Sequence, residues 1–232
     1  MDYLVYAYLQ NGQESEAKVQ VDYLRSISGS LAQNFSASYA SAAIPARYAL
    51  ELRHWEAAAD SDTVNVAFRS DKYAWEKAIV YFARVLGAVH TGKLKAAKTD
   101  LQTLRSLQAV LLSAKDEYKA NQVLVQVKAA EAWISYAEGK KKEAVALMNE
   151  AANMEDSTEK HPVTPGEVIP ARELEGDLLL ALGKNREALQ AYETSMIRCP
   201  NRRNSLKGAV LAAQKSGDKA KAAAYIKQLN GA

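Results

Sequence analysis

Apolar residues recur along this chain at the spacing of amphipathic α-helices, and short polar stretches separate the runs. Within residues 93–115, Leu94, Leu101 and Leu104 keep one heptad-like stripe, which indicates a packing face. The pattern predicts helices over residues 2–11, 14–28, 33–52, 55–60, 72–91, 93–115, 117–138, 141–153, 165–182, 185–197, 202–216 and 218–230. Residues 59–75 have little apolar periodicity, and we expect most of them to form a loop over one edge.

A glycine followed five residues later by an alanine marks a repeat along the chain. The pairs are Gly12 and Ala17, Gly92 and Ala97, Gly139 and Ala144, Gly183 and Ala188, and Gly217 and Ala222. Arg53 and Ala58 take the same positions without a glycine. Each glycine follows an apolar-periodic helix, where a chain reversal often needs positive φ. The alanine then lies on the inner face of the next helix, where a small side chain lets two helices approach.

The spacing between these turns leads to a family resemblance. Successive turns are 41, 39, 47, 44 and 34 residues apart, and the last value is the period of the tetratricopeptide repeat. Residues 169–200 carry the family's small, turn, small, aromatic and terminating positions, at Gly176, Gly183, Ala188, Tyr192 and Pro200. The chain therefore resembles a tetratricopeptide-repeat protein over nearly its whole length.

The resemblance implies an all-α fold, a right-handed α-solenoid of about six antiparallel helical hairpins. We expect one domain, residues 1–232, with hairpins at about 1–28, 33–60, 72–115, 117–153, 165–197 and 202–230. The stretches "DYLVYAYLQ", "IPARYALELRHWEAAA" and "EKHPVTPGEVIPARELEGDLLLALG" also resemble a group of longer, mostly uncharacterised bacterial proteins of this family. By that resemblance, the chain corresponds to the C-terminal part of such a protein.

The stretch "STEKHPVTPGEVIPARE", residues 157–173, interrupts the helical pattern with three of the five prolines. We interpret residues 154–164 as a loop inserted between the fourth and fifth hairpins. Thr164 and Glu167 have the spacing of a capping box around Pro165, which predicts that the next helix begins there and bends at Pro170. His161 is expected to be exposed, and a role for residues 159–161 at the edge of a binding groove is the open alternative.

A second "IPAR" occurs at residues 44–47, so a proline-bent helix is expected in two hairpins. Two possibilities remain open around Pro45, because a proline inside a helical run either kinks the helix or marks a later start.

Composition places the chain among ordinary globular proteins, with 48% hydrophobic and 25% charged residues in 232. The single Cys199 excludes an intrachain disulfide framework. Lys and Arg are spread along the chain and the net charge is only +3, which argues against nucleic-acid binding. No secretory signal or apolar run of membrane-spanning length is visible, so a cytoplasmic location is the default expectation.

No catalytic or metal-binding constellation is visible in the sequence. His54, His90 and His161 belong to separate hairpins and have no metal-ligand spacing. Cys199 has no histidine near it in sequence, and we interpret it as a small hydrophobe. Phosphate-binding glycine loops are absent, and acidic pairs fall where solvated helix ends are expected. We therefore expect no enzyme activity, metal or cofactor.

The resemblance also implies candidate groove residues on the first helix of each hairpin, where this family binds partners. They are Tyr6, Arg47, Glu51, His90, Trp133, Tyr136, Glu173 and Asp177. Trp133 is better explained as core, because large apolar residues are mostly buried, whereas Tyr136, Glu173 and Asp177 are the best candidates. The two acidic residues argue against a clamp for peptide carboxylates and favour a basic or mixed-charge peptide.

The sequence therefore predicts a non-enzymatic protein-interaction scaffold that binds a peptide or partner segment in a concave groove. A basic helical repeat that binds nucleic acid is one alternative, supported only by a pI of 8.8. An accessory repeat module of a larger protein is another. The N-terminal helix has Tyr3, Leu4 and Tyr8 on different sides, which suggests that it packs on upstream repeats or on a second copy of the chain.

Overall fold

The computed structural model describes residues 1–27, 34–61 and 71–231, and these residues form α-helices with no β-strand among them. The helices are α1 (Asp2–Gln10), α2 (Glu14–Ile27), α3 (Phe35–Glu51), α4 (Trp55–Ala59), α5 (Ala74–His90), α6 (Leu94–Ser113), α7 (Glu117–Ala137), α8 (Lys141–Asp156), α9 (Ala171–Ala181), α10 (Asn185–Arg198), α11 (Arg203–Ser216) and α12 (Lys219–Gly231). A 3₁₀ turn, Asp71–Tyr73, precedes α5.

The predicted helix ends are confirmed to within three residues wherever the end is described, except at the start of α9. The predicted ends at residues 28 and 33 lie outside the described residues, as does most of the predicted loop at 59–75. None of the helices in the described ranges is long and apolar enough to cross a membrane.

The repeated turns have the predicted backbone geometry. Positive φ occurs at Gly12, Gly92, Gly139, Gly183 and Gly217, and at Arg53, where φ is 56°. In each turn the amide after this residue donates to a carbonyl five residues earlier, as from His54 to Ala49 at 2.9 Å. Arg53 therefore makes the glycine-type turn that its spacing predicted.

Small residues let the paired helices approach closely. The six repeat alanines are all at most 5% exposed: Ala17, Ala58, Ala97, Ala144, Ala188 and Ala222. At Gly87 on α5, an added Cβ would lie 2.3 Å from the backbone nitrogen of Ala59 on α4. The prediction that small side chains face the partner helix is confirmed.

Each helix packs on its neighbours in the chain, and α1, α3, α5, α7, α9 and α11 also contact one another in that order. These six are the first helices of their pairs. Most of the buried apolar side chains from α3 to α9 form one continuous core. This row of first helices positions the site described below.

The start of α9 differs from the prediction. The linker comprises residues 157–170, rather than 154–164, and α9 begins after Pro170, which has extended backbone with φ −65° and ψ 137°. Pro170 has no N–H to donate to Gly166, and a residue before proline, here Ile169, is disfavoured in helical geometry. The predicted start at Pro165 and the predicted bend at Pro170 are therefore wrong.

The other "IPAR" stretch behaves differently. Helix α3 begins at Phe35, with the Asn34 side chain accepting from the Ala37 amide at 2.9 Å. It continues through Pro45 to Glu51, so the late start considered for this helix is wrong. The two copies of "IPAR" thus occupy unlike positions, one inside a helix and one at a helix start.

Candidate functional site

One continuous stripe of side chains runs along neighbouring first helices, and we call it the first-helix face. Its members lie three or four residues apart on α5 and α7 and eight residues apart on α3, which places them on one side of each helix. They are Tyr39 and Arg47 on α3; Trp75, Ile79, Phe82, Leu86 and His90 on α5; and Tyr118, Gln122, Val125, Ala129, Trp133 and Tyr136 on α7.

The linker of residues 157–170, here called the proline segment, covers the part of this face nearest the start of the helices. Arg47 donates to the carbonyl oxygens of Glu167 at 2.9 Å and Gly166 at 3.2 Å. Tyr39 also donates to the Gly166 carbonyl, at 3.4 Å. Burial raises the pKa of Tyr39 to about 12, so its hydroxyl keeps its proton and acts as a donor.

His161 lies on the aromatic rings of the same part of the face. Its ring centre is 5.3 Å from Phe35, 5.5 Å from Trp75 and 5.8 Å from Tyr118. Partial burial, with a smaller effect of Lys119, lowers the pKa of His161. The prediction that His161 is exposed is wrong, because the imidazole packs against these rings and is half-buried.

A cavity of about 40 Å³ remains between the proline segment and the first-helix face. It is lined by both, and also by Glu155 from the end of α8. Glu155 is 3% exposed and accepts from the Ala171 amide at 2.8 Å, at the start of α9. Burial, followed by the nearby Glu167 carboxylate, raises the pKa of Glu155 well above its ordinary value.

We predict that Glu155→Gln raises the free energy of unfolding at about pH 8 by about 1 kcal/mol or more. Because the folded-state pKa is raised, the folded chain holds the proton more tightly, and stability falls as pH rises from the unfolded to the folded pKa. Glutamine resembles the protonated acid and removes this loss. Urea denaturation at several pH values measures the difference.

The matched control is Glu150→Gln on the same helix, where the carboxylate is half exposed and pairs with Lys128. Its effect should stay within about 0.5 kcal/mol of zero at every pH. An equal response of the two variants to pH would contradict the assignment of Glu155.

A buried ion network occupies the middle of the structure and joins distant parts of the chain. Arg202, which is 1% exposed, donates to Glu51 at 2.6 Å and to Glu173 at 2.9 Å. Asn204 adds a bond of 2.9 Å to the Glu51 carboxylate. The end of α3 is thereby held to the start of α11, although these helices belong to the second and sixth helix pairs.

The network continues through Arg53, which pairs with Asp177 at 2.7 Å. Asp177 in turn accepts from the Tyr192 hydroxyl at 2.7 Å. Burial alone would raise the pKa of Glu173, but the charge of Arg202 holds it below its ordinary value. For Asp177, burial raises the pKa more than the charge of Arg53 lowers it, so the pKa lies above its ordinary value.

An aromatic cluster lies at the other end of the first-helix face. It consists of His90, Trp133 and Tyr136 of that face together with Trp55 of α4. His90 stacks on Trp55 with ring centres 3.9 Å apart, and it lies 4.5 Å from Trp133. Tyr136 meets Trp133 edge-on at 5.6 Å. Burial lowers the pKa of His90, so its ring is neutral at neutral pH, and its Nδ1 lies 2.8 Å from the Leu86 carbonyl.

The structure places the predicted groove residues in four settings. Arg47, Glu51 and Glu173 are buried in ion pairs, and Trp133 belongs to the core. Tyr6 lies beneath Arg47, with the guanidinium 5.4 Å from its ring centre, and Asp177 is half-buried against Arg53. His90 and Tyr136 are half-buried in the aromatic cluster.

The expectation that Glu173 and Asp177 face a basic peptide is therefore corrected. Their charges are matched inside the chain by Arg202 and Arg53, so they are not available to select a partner. Arg53, Arg202 and Trp55 were not predicted from the sequence as site residues. A signal existed only for Trp55, a large aromatic residue directly after the turn at Arg53.

No protein-family model matches the chain, and no curated protein is significantly similar to it. Across residues 1–27, 34–61 and 71–231, no three His, Cys, Asp or Glu side chains are grouped so that they could hold a metal ion. Cys199 is buried, its Sγ lies 3.1 Å from Lys160 Nζ, and burial raises the pKa of its thiol. Function is therefore inferred from the first-helix face itself.

Proposed function

We propose that the chain is a non-enzymatic interaction module that binds an extended segment of a partner protein on the first-helix face. The proposal takes the six helix pairs as hairpins of a right-handed α-solenoid of the tetratricopeptide type. Six equivalent turns, six buried alanines and a row of contacting first helices support that arrangement. In such solenoids the repeated faces provide long binding surfaces.

The observation that carries the proposal is that this face already holds a non-helical piece of polypeptide. Arg47 and Tyr39 on α3 and Tyr118 on α7 donate to carbonyl oxygens of the proline segment. Backbone carbonyls are common to all sequences, so these donors form a surface suited to an extended chain. Nearby apolar side chains then supply selectivity.

The aromatic cluster is the part of the face that the proline segment leaves uncovered. Aromatic side chains that are rigid and partly buried are favoured anchors in protein interfaces. The indole N–H of Trp133 is buried and has no acceptor among the described residues.

We predict that peptides selected by this chain from a random 12-residue display library bind at least about tenfold more weakly to Tyr136→Ala, a loss of about 1.4 kcal/mol. Removing the ring takes away an anchor beside Trp133 and His90. Titration calorimetry with a selected synthetic peptide measures the affinity. Thermal unfolding of each variant checks that the fold is retained.

The matched control is Tyr23→Ala on α2, because Tyr23 is 54% exposed and lies outside the first-helix face. It should leave the affinity unchanged. Equal affinity for all three proteins, or the absence of any selected peptide, would contradict the proposal.

A further inference from the structure

The proline segment lies where the proposed function places a partner, and its attachment differs from that of the helices. Residues 159–169 belong to no helix or strand. Among the described residues, every hydrogen bond that joins their backbone to the rest of the chain comes from a side chain: Tyr118 to Glu159, Tyr39 and Arg47 to Gly166, and Arg47 to Glu167. Residues 159–169 can therefore leave without breaking any helical hydrogen bond.

Two apolar side chains and one carboxylate anchor the C-terminal part of the segment, and Lys160 donates to the Arg198 carbonyl at 3.0 Å nearer its start. Val168 and Ile169 are 4% and 2% exposed and belong to the main core. The Glu167 carboxylate pairs with Arg198 of α10 at 3.2 Å. Between these anchors and His161 the chain rises to the surface, and Val163 is 54% exposed.

The fit between the segment and the face is incomplete. The cavity of about 40 Å³ lies under the segment, and a volume of about 10–15 Å³ already accommodates one water-sized probe. Gln126 Oε1 on α7 lines this cavity, is buried, and has no hydrogen-bond partner among the described residues. The segment therefore packs against the face less closely than side chains pack in the main core, and the described part of the chain supplies no donor to Gln126. A ligand that fills the cavity and donates to Gln126 would fit better.

From these observations we propose that the proline segment is a self-ligand: it occupies the covered part of the first-helix face until a partner segment of similar chemistry displaces it. This inference rests on the proposed function and adds the class of partner and its regulation. The partner segment is extended by proline, carries two adjacent aliphatic residues for the Val168 and Ile169 sites, and places a carboxylate before them, facing Arg198.

The partner class follows from the contacts of the segment. Proline holds the residue before it in extended geometry, which lowers the entropy lost on binding. The face offers side-chain donors for main-chain carbonyls. Beside it, the Arg198 guanidinium of α10 faces the carboxylate, and its other bonds go to the carbonyls of Asp156 and Thr158. An internal ligand competes at a high effective concentration, so a partner binds appreciably only when its own contacts are better.

The first test is amide hydrogen exchange of the intact chain with and without a library-selected peptide that binds it. We expect the amides of residues 159–168 to exchange more slowly than an unfolded chain and faster than those of α5 and α7. Saturating peptide should raise their exchange rate at least about threefold while α5 and α7 become more protected. If the peptide binds and the segment stays equally protected, the self-ligand is wrong while the proposed function stands.

The second test uses a defined probe, the synthetic peptide of residues 157–171. Val168→Ser/Ile169→Ser weakens the internal segment and leaves the first-helix face unchanged. This variant should bind the peptide at least about tenfold more tightly than the unmodified chain does. A peptide with the same two serines should not bind. Equal affinity of the two proteins for the probe would overturn the inference, and the exchange measurement decides the matter if the double variant does not fold.

Discussion

Arg202→Met will lower the free energy of unfolding by about 3–5 kcal/mol, because it leaves Glu51 buried without a counter-charge and Glu173 with only the more distant Arg53, at 3.7 Å. Both carboxylates are at most 6% exposed, so water cannot take over the role of the guanidinium. Urea denaturation at neutral pH measures the loss. Arg202→Lys should recover only part of it, since an ammonium group cannot reproduce the forked donation to two acids.

The loss should depend on pH in one direction. In the unmodified chain the pKa of Glu173 is lowered by Arg202, so the stabilisation is present above the unfolded pKa and disappears as pH falls through the folded pKa. The difference between the two proteins is therefore largest at neutral pH and narrows below about pH 4. A difference that widens in acid would contradict the network.

The matched control is Arg105→Met, which removes an ion pair of similar length, 2.7 Å to Glu131, from the surface. Arg105 is 47% exposed, so its removal should cost no more than about 0.5 kcal/mol. Comparable losses in the two variants would show that Arg202 is not the buried link between α3 and α11.

Arg47→Met will lower the free energy of unfolding by about 3 kcal/mol, the second largest effect expected. Arg47 is fully buried, it pairs with Asp2 of α1 at 3.3 Å, and it donates to the carbonyls of Gly166 and Glu167. Its loss leaves the buried Asp2 carboxylate and the Glu167 carbonyl without their donor, and leaves the Gly166 carbonyl with Tyr39 alone. Urea denaturation gives the size of the effect.

Hydrogen exchange separates this variant from a general loss of stability. Under native conditions Arg47→Met should speed exchange in residues 159–168 and in α1 more than in α7, because those are the parts that Arg47 attaches. Uniform acceleration over all helices would contradict that role. Arg105→Met again serves as the control and should leave the pattern unchanged.

Much of the fold could be predicted from the sequence because its rules are local. The turn at Arg53 was predicted from spacing alone, and its φ of 56° is that of the glycine turns. The wrong start predicted for α9 has a local cause too. Thr164 and Glu167 have the spacing of a capping box, but Pro170 has no N–H for a helical hydrogen bond, so the helix begins after it. In the structure the carbonyl oxygens of Gly166 and Glu167 accept hydrogen bonds from Arg47 of α3 and, among the described residues, none from within a helix.

The candidate site could be predicted only in part. The resemblance to tetratricopeptide repeats implied His90, Trp133 and Tyr136 as residues of one helix face, and the structure brings them into one cluster. No local sequence pattern predicts the contact between Arg202 and Glu51, because 151 residues separate them. Glu51 and Glu173 are buried at that long-range contact, and Arg47 is buried against Asp2 and the proline segment. A surface expected to be open is therefore largely closed by the chain itself.

Photo-crosslinking to a selected peptide tests most directly whether the first-helix face is the binding surface. Benzoylphenylalanine would replace Tyr136 in one protein and Tyr225, which lies on α12 away from this face, in another. If the first-helix face binds the peptide, we expect a crosslink from position 136, with the attached peptide residue identified by mass spectrometry, and none from position 225. Crosslinks from position 225 with none from position 136 would contradict it.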